Sequence, residues 1–178
     1  MTTEAWDLLV RLSKHYESLH DGDLKQIGLQ PKMCPAGYWT EGYGSLVLDA
    51  KGKPLKGKEN KDKALSLCRL HTEADATADL IKQLEFRIKL VDKLKLNLSD
   101  TQKAAVVSFM YNVGYDAFVN STLYKRIKNS ESATAIDIEF RKWSKGTVDG
   151  ELAVLKGLEA RRLSESLLFT KGELKFFN

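Results

Sequence analysis

The stretch SDTQKAAVVSFMYNVG, residues 99–114, decides the fold that the sequence predicts. Ser99 and Gln102 form a capping-box pattern, in which two side chains satisfy free backbone N–H groups at a helix start. From Ala104 to Val113 the following helix is apolar on nearly every side. Helices of this kind are normally buried, so we expect this one at the centre of a helical lobe.

Outward from this helix, the spacing of apolar residues predicts further helices. They cover residues 4–16, 73–94, 121–128, 132–144 and 157–169. The first third of the chain holds all three prolines and most of the glycines, and its alternation over 38–48 favours a hairpin. The lysine-rich stretch 51–63 is interpreted as a solvated loop. These elements predict a mainly helical α+β fold.

We expect a single domain over residues 1–178 with two lobes. A β-rich lobe and its loop cover about 14–72, and the helix 73–94 connects them to a helical lobe at 99–170. The helix 4–16 is expected to pack on the helical lobe.

Composition narrows the class of protein. The chain has 178 residues, 43% of them hydrophobic and 29% charged, which is an ordinary globular balance. No apolar run approaches the ~18 residues of a membrane-spanning helix, and residues 1–7 lack signal-peptide features. We therefore expect a protein made soluble inside a cell, with Cys34 and Cys68 reduced. Cys68 lies among leucines, which predicts a buried thiol.

The segment CPAGYWTEGYG, residues 34–44, is the strongest local indication of chemistry. It combines a thiol, a hydroxyl and glycines that let a backbone approach a bulky ligand. Upstream, Glu17 ends an amphipathic helix. An aromatic hairpin facing it would exclude water and favour the protonated carboxyl that a general acid needs. From spacing alone, a solvated Glu at a helix end is the simpler interpretation.

Several blocks together resemble the phage-type lysozymes, the endolysins of glycoside hydrolase family 24. In order, they are HYESL at 15–19, CPAGYWTEGYG at 34–44, QKAAVVSFMYNVG at 102–114, FVNSTL at 118–123, Trp143, GLEARR at 157–162 and Glu165. The first two are similar to the active-site region of the family and the third to its central helix. The resemblance implies a lysozyme-like fold with a small N-terminal β lobe and a larger helical C-terminal lobe.

The family's catalytic pattern is a Glu, then an Asp or Cys, then a Thr. The resemblance places these roles on Glu17, Cys34 and Thr40. The interval from Glu17 to Cys34 is longer than usual, with the extra length at 21–32. Asp21 and Asp23 in that segment are therefore alternatives for the second role.

Two other positions depart from the family pattern. Ser18 follows the predicted catalytic Glu where the family usually has Gly. Ser45 stands where the family commonly has His, so a familiar support for the acid is missing.

The substrate that the resemblance implies is peptidoglycan, cut between N-acetylmuramic acid and N-acetylglucosamine. Glu17 is assigned to donate a proton to the glycosidic oxygen, with Cys34 and Thr40 positioning water. An ordinary free thiol is mostly protonated at pH 7 and is a poor base, so either a thiolate or an orienting role is open for Cys34. By the same resemblance, the substrate-binding candidates are Leu46, Tyr111, Ser121 and Asp137. No metal or organic cofactor is expected.

The resemblance also implies an endolysin that lyses a bacterial host from within. We expect a monomer held in the host cytoplasm until a holin releases it to the cell wall, with no nucleic-acid partner and no stable membrane insertion. Two alternatives remain open at this point. A lytic transglycosylase would form an anhydro product without water, and a non-catalytic wall-binding module would bind peptidoglycan without cutting it.

Overall fold

The computed structural model describes residues 1–148 and 151–178. The helices are α1 (Thr3–Glu17), α2 (Lys61–Leu67), α3 (Glu73–Lys93), α4 (Asp100–Val113), α5 (Tyr115–Val119), α6 (Thr122–Lys128), α7 (Ala133–Arg141) and α8 (Lys156–Lys171), with a short 3₁₀ helix at Lys58–Asn60. The strands are β1 (Lys32–Met33), β2 (Trp39–Glu41), β3 (Ser45–Leu46), β4 (Lys145–Val148) and β5 (Glu151–Val154). The mainly helical α+β fold is confirmed.

Residues 17–83 form one compact unit built on a small antiparallel sheet. Its strands lie in the order β1-β2-β3, with Thr40 paired to Lys32 on one side and to Leu46 on the other. Trp39, Val47 and Leu55 form the buried core of this unit together with Ala64 of α2. The indole N–H of Trp39 donates to the Gly57 carbonyl at 2.8 Å, so the polar edge of this buried ring is satisfied.

Residues 1–16 and 84–178 form the second compact unit, with α4 at its centre. Every residue from Ala104 to Met110 is buried, which confirms the prediction of a buried helix. The helix packs against α8 and α5, and Phe109 makes edge-to-face contacts with Phe118, Phe140 and Trp143. Burying a Phe side chain stabilises a fold by about 1.5–3 kcal/mol, so this aromatic cluster is a major part of the core.

The helix starts follow from capping side chains. Ser99 accepts from the Gln102 backbone while the Gln102 side chain accepts from the Ser99 backbone, so the predicted capping box is confirmed. Ser121 and Ser132 cap α6 and α7, because each serine side chain accepts a hydrogen bond from a backbone N–H in the first turn of its helix. These caps fix where each helix begins.

A buried ion cluster joins α8 to α4. Glu165 is fully buried and forms ion pairs with Arg161 at 3.0 Å and Arg162 at 3.1 Å. Ser108 of α4 donates to the same carboxylate at 2.8 Å. The Arg162 guanidinium also lies 4.7 Å from the centre of the Phe109 ring. One buried carboxylate therefore faces two guanidinium groups, and one of these also packs on an aromatic ring.

Two predictions along the chain need correction or addition. The lysine-rich stretch is a loop only up to Gly57, because residues 58–67 form the 3₁₀ helix and α2, although the lysines stay exposed. A hairpin of β4 and β5 follows α7, which no sequence pattern predicted. The predicted lobe limits stay predictions.

Over 1–148 and 151–178, no helix combines the length and the apolar character needed to cross a membrane.

Candidate active site

Glu17 is the last residue of α1 and is half-buried. Its Oε2 lies against the backbone of Gly44, since a Cβ placed on that glycine would be 3.5 Å from the oxygen. Gly44 has a φ of 93°, a conformation that L side chains rarely adopt. The turn between β2 and β3 therefore presents bare backbone to the carboxyl group.

Thr40 is buried on β2, with its hydroxyl held on two sides. The hydroxyl donates to the Lys32 carbonyl oxygen at 2.9 Å, across the β1–β2 pair. Its Oγ1 also lies 3.2 Å from Nδ1 of His20. Two partners thus fix the direction of the Thr40 side chain.

His20 lies between the end of α1 and the sheet. Its backbone N–H donates to the Gly42 carbonyl at 2.7 Å, which forms an isolated antiparallel bridge. Burial lowers the pKa of His20, the charge of Lys32 lowers it further, and the charge of Glu17 acts in the opposite direction. Because the resulting pKa is below the usual value, the imidazole is neutral at neutral pH. Sequence reasoning missed this residue.

Cys34 is a half-buried free thiol in the loop between β1 and β2. Its backbone N–H donates to the Tyr38 carbonyl at 2.8 Å, and its carbonyl accepts from the Gly37 N–H at 2.8 Å. These bonds close the hairpin that also holds Thr40. Glu17, Cys34 and Thr40 therefore all lie in the compact unit 17–83.

The alternative carboxylates lie in the extra segment 21–32. Asp23 accepts from the Lys25 backbone at 3.0 Å and from the Gln26 amide at 3.0 Å, so it stabilises a local turn. Within the part of the chain that the structure describes, the buried Oδ1 of Asp21 has no hydrogen-bond partner. Of the two, Asp21 therefore has the carboxylate oxygen that is uncommitted.

The substrate-binding candidates divide between the two units. Leu46 belongs to 17–83, where it pairs with Thr40 and is 40% exposed. Tyr111, Ser121 and Asp137 belong to the unit of 1–16 and 84–178. All four assignments stay predictions.

Local contacts limit what three of these candidates can offer a sugar. The Arg87 guanidinium lies 4.4 Å from the centre of the Tyr111 ring and covers one of its faces. Ser121 is buried, donates to the Phe118 carbonyl and accepts from a backbone N–H as the α6 cap. A sugar hydroxyl would have to compete with both bonds.

Asp137 is similarly occupied. It accepts hydrogen bonds from Arg141 at 2.8 Å and from Ser166 at 2.6 Å. Burial acts to raise the pKa of Asp137, but these hydrogen bonds outweigh it, so the pKa is lowered overall. The carboxylate is therefore ionised and already paired at neutral pH.

A second buried carboxylate, Glu41, lies beside Thr40 on β2. It is 1% exposed and accepts from the backbone N–H groups of Arg69 at 2.7 Å and Leu70 at 3.1 Å, as well as from the Arg69 guanidinium at 3.0 Å. Burial acts to raise the pKa of Glu41, but these bonds lower it overall. This clamp ties residues 69–70 to the strand that carries Thr40.

Cys68 next to this clamp is buried, as the sequence predicts. Burial and the hydrogen bond to Glu41 raise the pKa of its thiol to about 11. The two cysteines therefore differ, with Cys34 half-buried in the hairpin and Cys68 in the core. No set of three or more His, Cys, Asp or Glu side chains is placed to hold a metal ion within residues 1–148 and 151–178.

Comparison with known proteins decides the family. The sequence model of the family described as phage lysozyme matches residues 24–165. This chain belongs to the phage lysozyme family. The matched range contains Cys34 and Thr40 and begins after Glu17.

Individual phage lysozymes and related proteins support this membership over nearly the whole chain. An endolysin of Acyrthosiphon pisum secondary endosymbiont phage 1 is 31% identical over 159 residues, which cover 89% of this chain and 92% of that protein. The solved endolysin of Escherichia coli O157:H7 phage FAHEc1 has a TM-score of 0.71 at 25% identity, covering 94% of both chains. The muramidase domain of SpmX from Asticaccaulis excentricus has a TM-score of 0.66 at 27% identity, covering 90% of this chain and 93% of that one.

The departures from the phage lysozyme pattern have local structural consequences. Ser18 has a φ of 55°, the left-handed region that the glycine usual at this position adopts without a steric penalty. Ser45 donates its hydroxyl to Asp79 of α3 at 2.5 Å, so the residue in the usual His position still ties β3 to that helix.

Proposed function

We propose that this chain is an endolysin of the lysozyme type, a glycoside hydrolase that cuts the bond between N-acetylmuramic acid and N-acetylglucosamine in peptidoglycan and so lyses the bacterial host. One observation carries the proposal. The three residues that match the family's catalytic pattern belong to or flank the same small sheet. Cys34 and Thr40 lie on the β1–β2 hairpin, and Glu17 lies against the turn that follows.

Glu17 is proposed to donate the proton that the leaving sugar oxygen needs. A general acid must lie within hydrogen-bond reach of the oxygen that it protonates, and Glu17 is half-buried at the end of α1. The backbone at Gly44 shields one side of the Glu17 carboxyl. The neighbouring His20 is neutral at neutral pH.

Water is proposed to attack the anomeric carbon from a place beside Thr40 and Cys34. The sugar gains positive charge as the bond to the leaving oxygen breaks. The water oxygen then bonds to the anomeric carbon, and the surplus proton of that water passes to solvent. Thr40 is fixed by two hydrogen bonds, which suits a residue that has to hold a water in one direction. Cys34, which lies on the same hairpin, would contact the same water and help to position it.

Product analysis tests this function. Purified peptidoglycan is digested in water enriched in ¹⁸O, and the released muropeptides are examined by mass spectrometry. We expect reducing-end sugars that carry one solvent oxygen, because hydrolysis adds water across the bond. Anhydromuramic ends would indicate a transglycosylase instead, and pelleting with walls without muropeptide release would indicate a binding module.

Cellular release is a second part of the proposal. Peptidoglycan lies outside the cytoplasmic membrane, so we propose that the monomeric protein waits in the host cytoplasm until a holin opens that membrane. Expression in host cells with and without a co-expressed holin tests this. Lysis that requires the holin is expected, and equally rapid lysis without it would contradict the proposed route.

A further inference from the structure

The hydrogen bonds of Thr40 define the proton positions around it. A hydroxyl has one proton and two lone pairs. The Lys32 carbonyl, 2.9 Å away, can only accept, so it takes the Thr40 proton. The 3.2 Å contact between Thr40 Oγ1 and His20 Nδ1 then requires a proton on that nitrogen. His20 is therefore the donor and Thr40 the acceptor.

His20 is well anchored for this task. Its backbone is bridged to Gly42, two residues beyond Thr40 on the same chain segment, so ring and hydroxyl are held in register. The charged groups that act on the ring are Lys32 and Glu17. Burial and the Lys32 charge favour the neutral ring, which with its proton on Nδ1 has a lone pair on Nε2.

We propose that His20 is a positioning residue that occupies one lone pair of Thr40 and so fixes the place of the attacking water. This inference rests on the proposed function. With its proton on Lys32 and one lone pair on His20, Thr40 has a single lone pair left for water. The water must donate to it, which keeps the water's own lone pairs available for the anomeric carbon. Without His20, the lone pair that it occupies is open to a second water position, so the attacking water is no longer held in one place.

Two substitutions of nearly equal shape test this role. His20→Asn places an amide N–H close to the position of Nδ1, whereas His20→Leu has similar volume and no donor. With soluble glycan fragments as substrate, we expect Leu to lower kcat by roughly 10- to 100-fold with little change in KM, because only the water is misplaced. Asn should restore kcat to within about threefold of wild type. Equal losses in both variants, or no loss in the Leu variant, would overturn the proposal.

The protonation state of the ring gives a readout that does not depend on activity. Nitrogen NMR of the ¹⁵N-labelled protein distinguishes the two neutral forms of histidine, and the chain has only three histidines to assign. We expect His20 to carry its proton on Nδ1 at pH 7. A proton on Nε2 in an active enzyme would overturn the role of His20 alone. An Nδ1–H ring in a protein that releases no reducing ends would overturn the proposed function and, with it, the water-positioning role.

Discussion

Replacing Glu165 with Gln tests the buried ion cluster of α8. The carboxylate is fully buried and accepts from the Ser108 hydroxyl at 2.8 Å and Arg161 Nε at 3.0 Å, and it lies 3.1 Å from Arg162 Nε. The two arginines are 2% and 0% exposed. The amide keeps the shape of the side chain but removes the negative charge that faces both guanidinium groups.

We expect the free energy of unfolding to fall by about 3–5 kcal/mol, the usual range when one partner of a buried ion pair is removed. For a chain of this size each kcal/mol lowers Tm by roughly 2–4 °C, so Tm should fall by at least about 6 °C. Urea unfolding followed by circular dichroism at pH 7 measures the loss, and a thermal scan measures the shift in Tm.

Glu159→Gln is the matched control, because Glu159 is on the same helix and exposed. It makes the same chemical change at the surface, where we expect an effect within about 0.5 kcal/mol. A loss below about 1 kcal/mol for Glu165→Gln, or one equal to that of the control, would refute the importance of the cluster for stability.

Three further predictions concern the sheet unit and the end of α1. Ser18→Gly should raise the free energy of unfolding by about 0.5–1 kcal/mol in urea titrations, because glycine adopts the observed positive φ at lower cost. A destabilised variant would contradict the steric penalty assigned to Ser18. Glu41→Gln should lower the free energy of unfolding by about 1–3 kcal/mol. The amide loses the negative charge that strengthens the hydrogen bonds from the Arg69 guanidinium and from buried backbone N–H groups. A variant as stable as wild type would contradict the role of this clamp. Iodoacetamide at pH 8 should modify Cys34 and leave Cys68 unmodified, because Cys68 is a core thiol with a pKa of about 11. Mass spectrometry identifies the cysteine that is modified in the native protein. Faster labelling of Cys68 would contradict its placement in the core.

The helical part of the fold could be predicted because local signals agree with burial there. The capping box at Ser99 and the apolar run behind it define α4 without reference to the rest of the chain. The periodic stretch predicted over 73–94 is observed as α3, Glu73–Lys93. Apolar residues that recur at helical spacing over about 20 residues can be buried on one face only if the segment is a helix.

Other elements could not be predicted, because their signals are weak or misleading. The lysines before and within α2 resemble a solvated loop, yet Lys is a good helix former. The helix packs on the sheet core through Ala64 and Leu67, which is too few apolar positions for a clear helical pattern. Strand β5 is exposed along its whole length, so it has no buried face and no alternation to detect. It pairs with β4 in antiparallel register, from Lys145 opposite Val154 to Val148 opposite Glu151.

The candidate site was predictable only where residue type and order match a family pattern. Glu17, Cys34 and Thr40 follow from that pattern, and their assignment stays a prediction. The contact of His20 with Thr40 depends on a bridge between distant segments, which residue spacing does not encode. The same holds for the Glu41–Arg69 clamp, whose partners are 28 residues apart.

The central claim is that Glu17 supplies the proton for hydrolysis of peptidoglycan. The most direct measurement is the rate of reducing-end release by Glu17→Gln compared with wild type, with Glu4→Gln on the exposed start of α1 as the control. We expect the rate to fall by about 10²- to 10⁴-fold in Glu17→Gln, the usual contribution of a general acid, while the control keeps the wild-type rate. A folded Glu17→Gln protein that releases reducing ends as fast as wild type would contradict the claim.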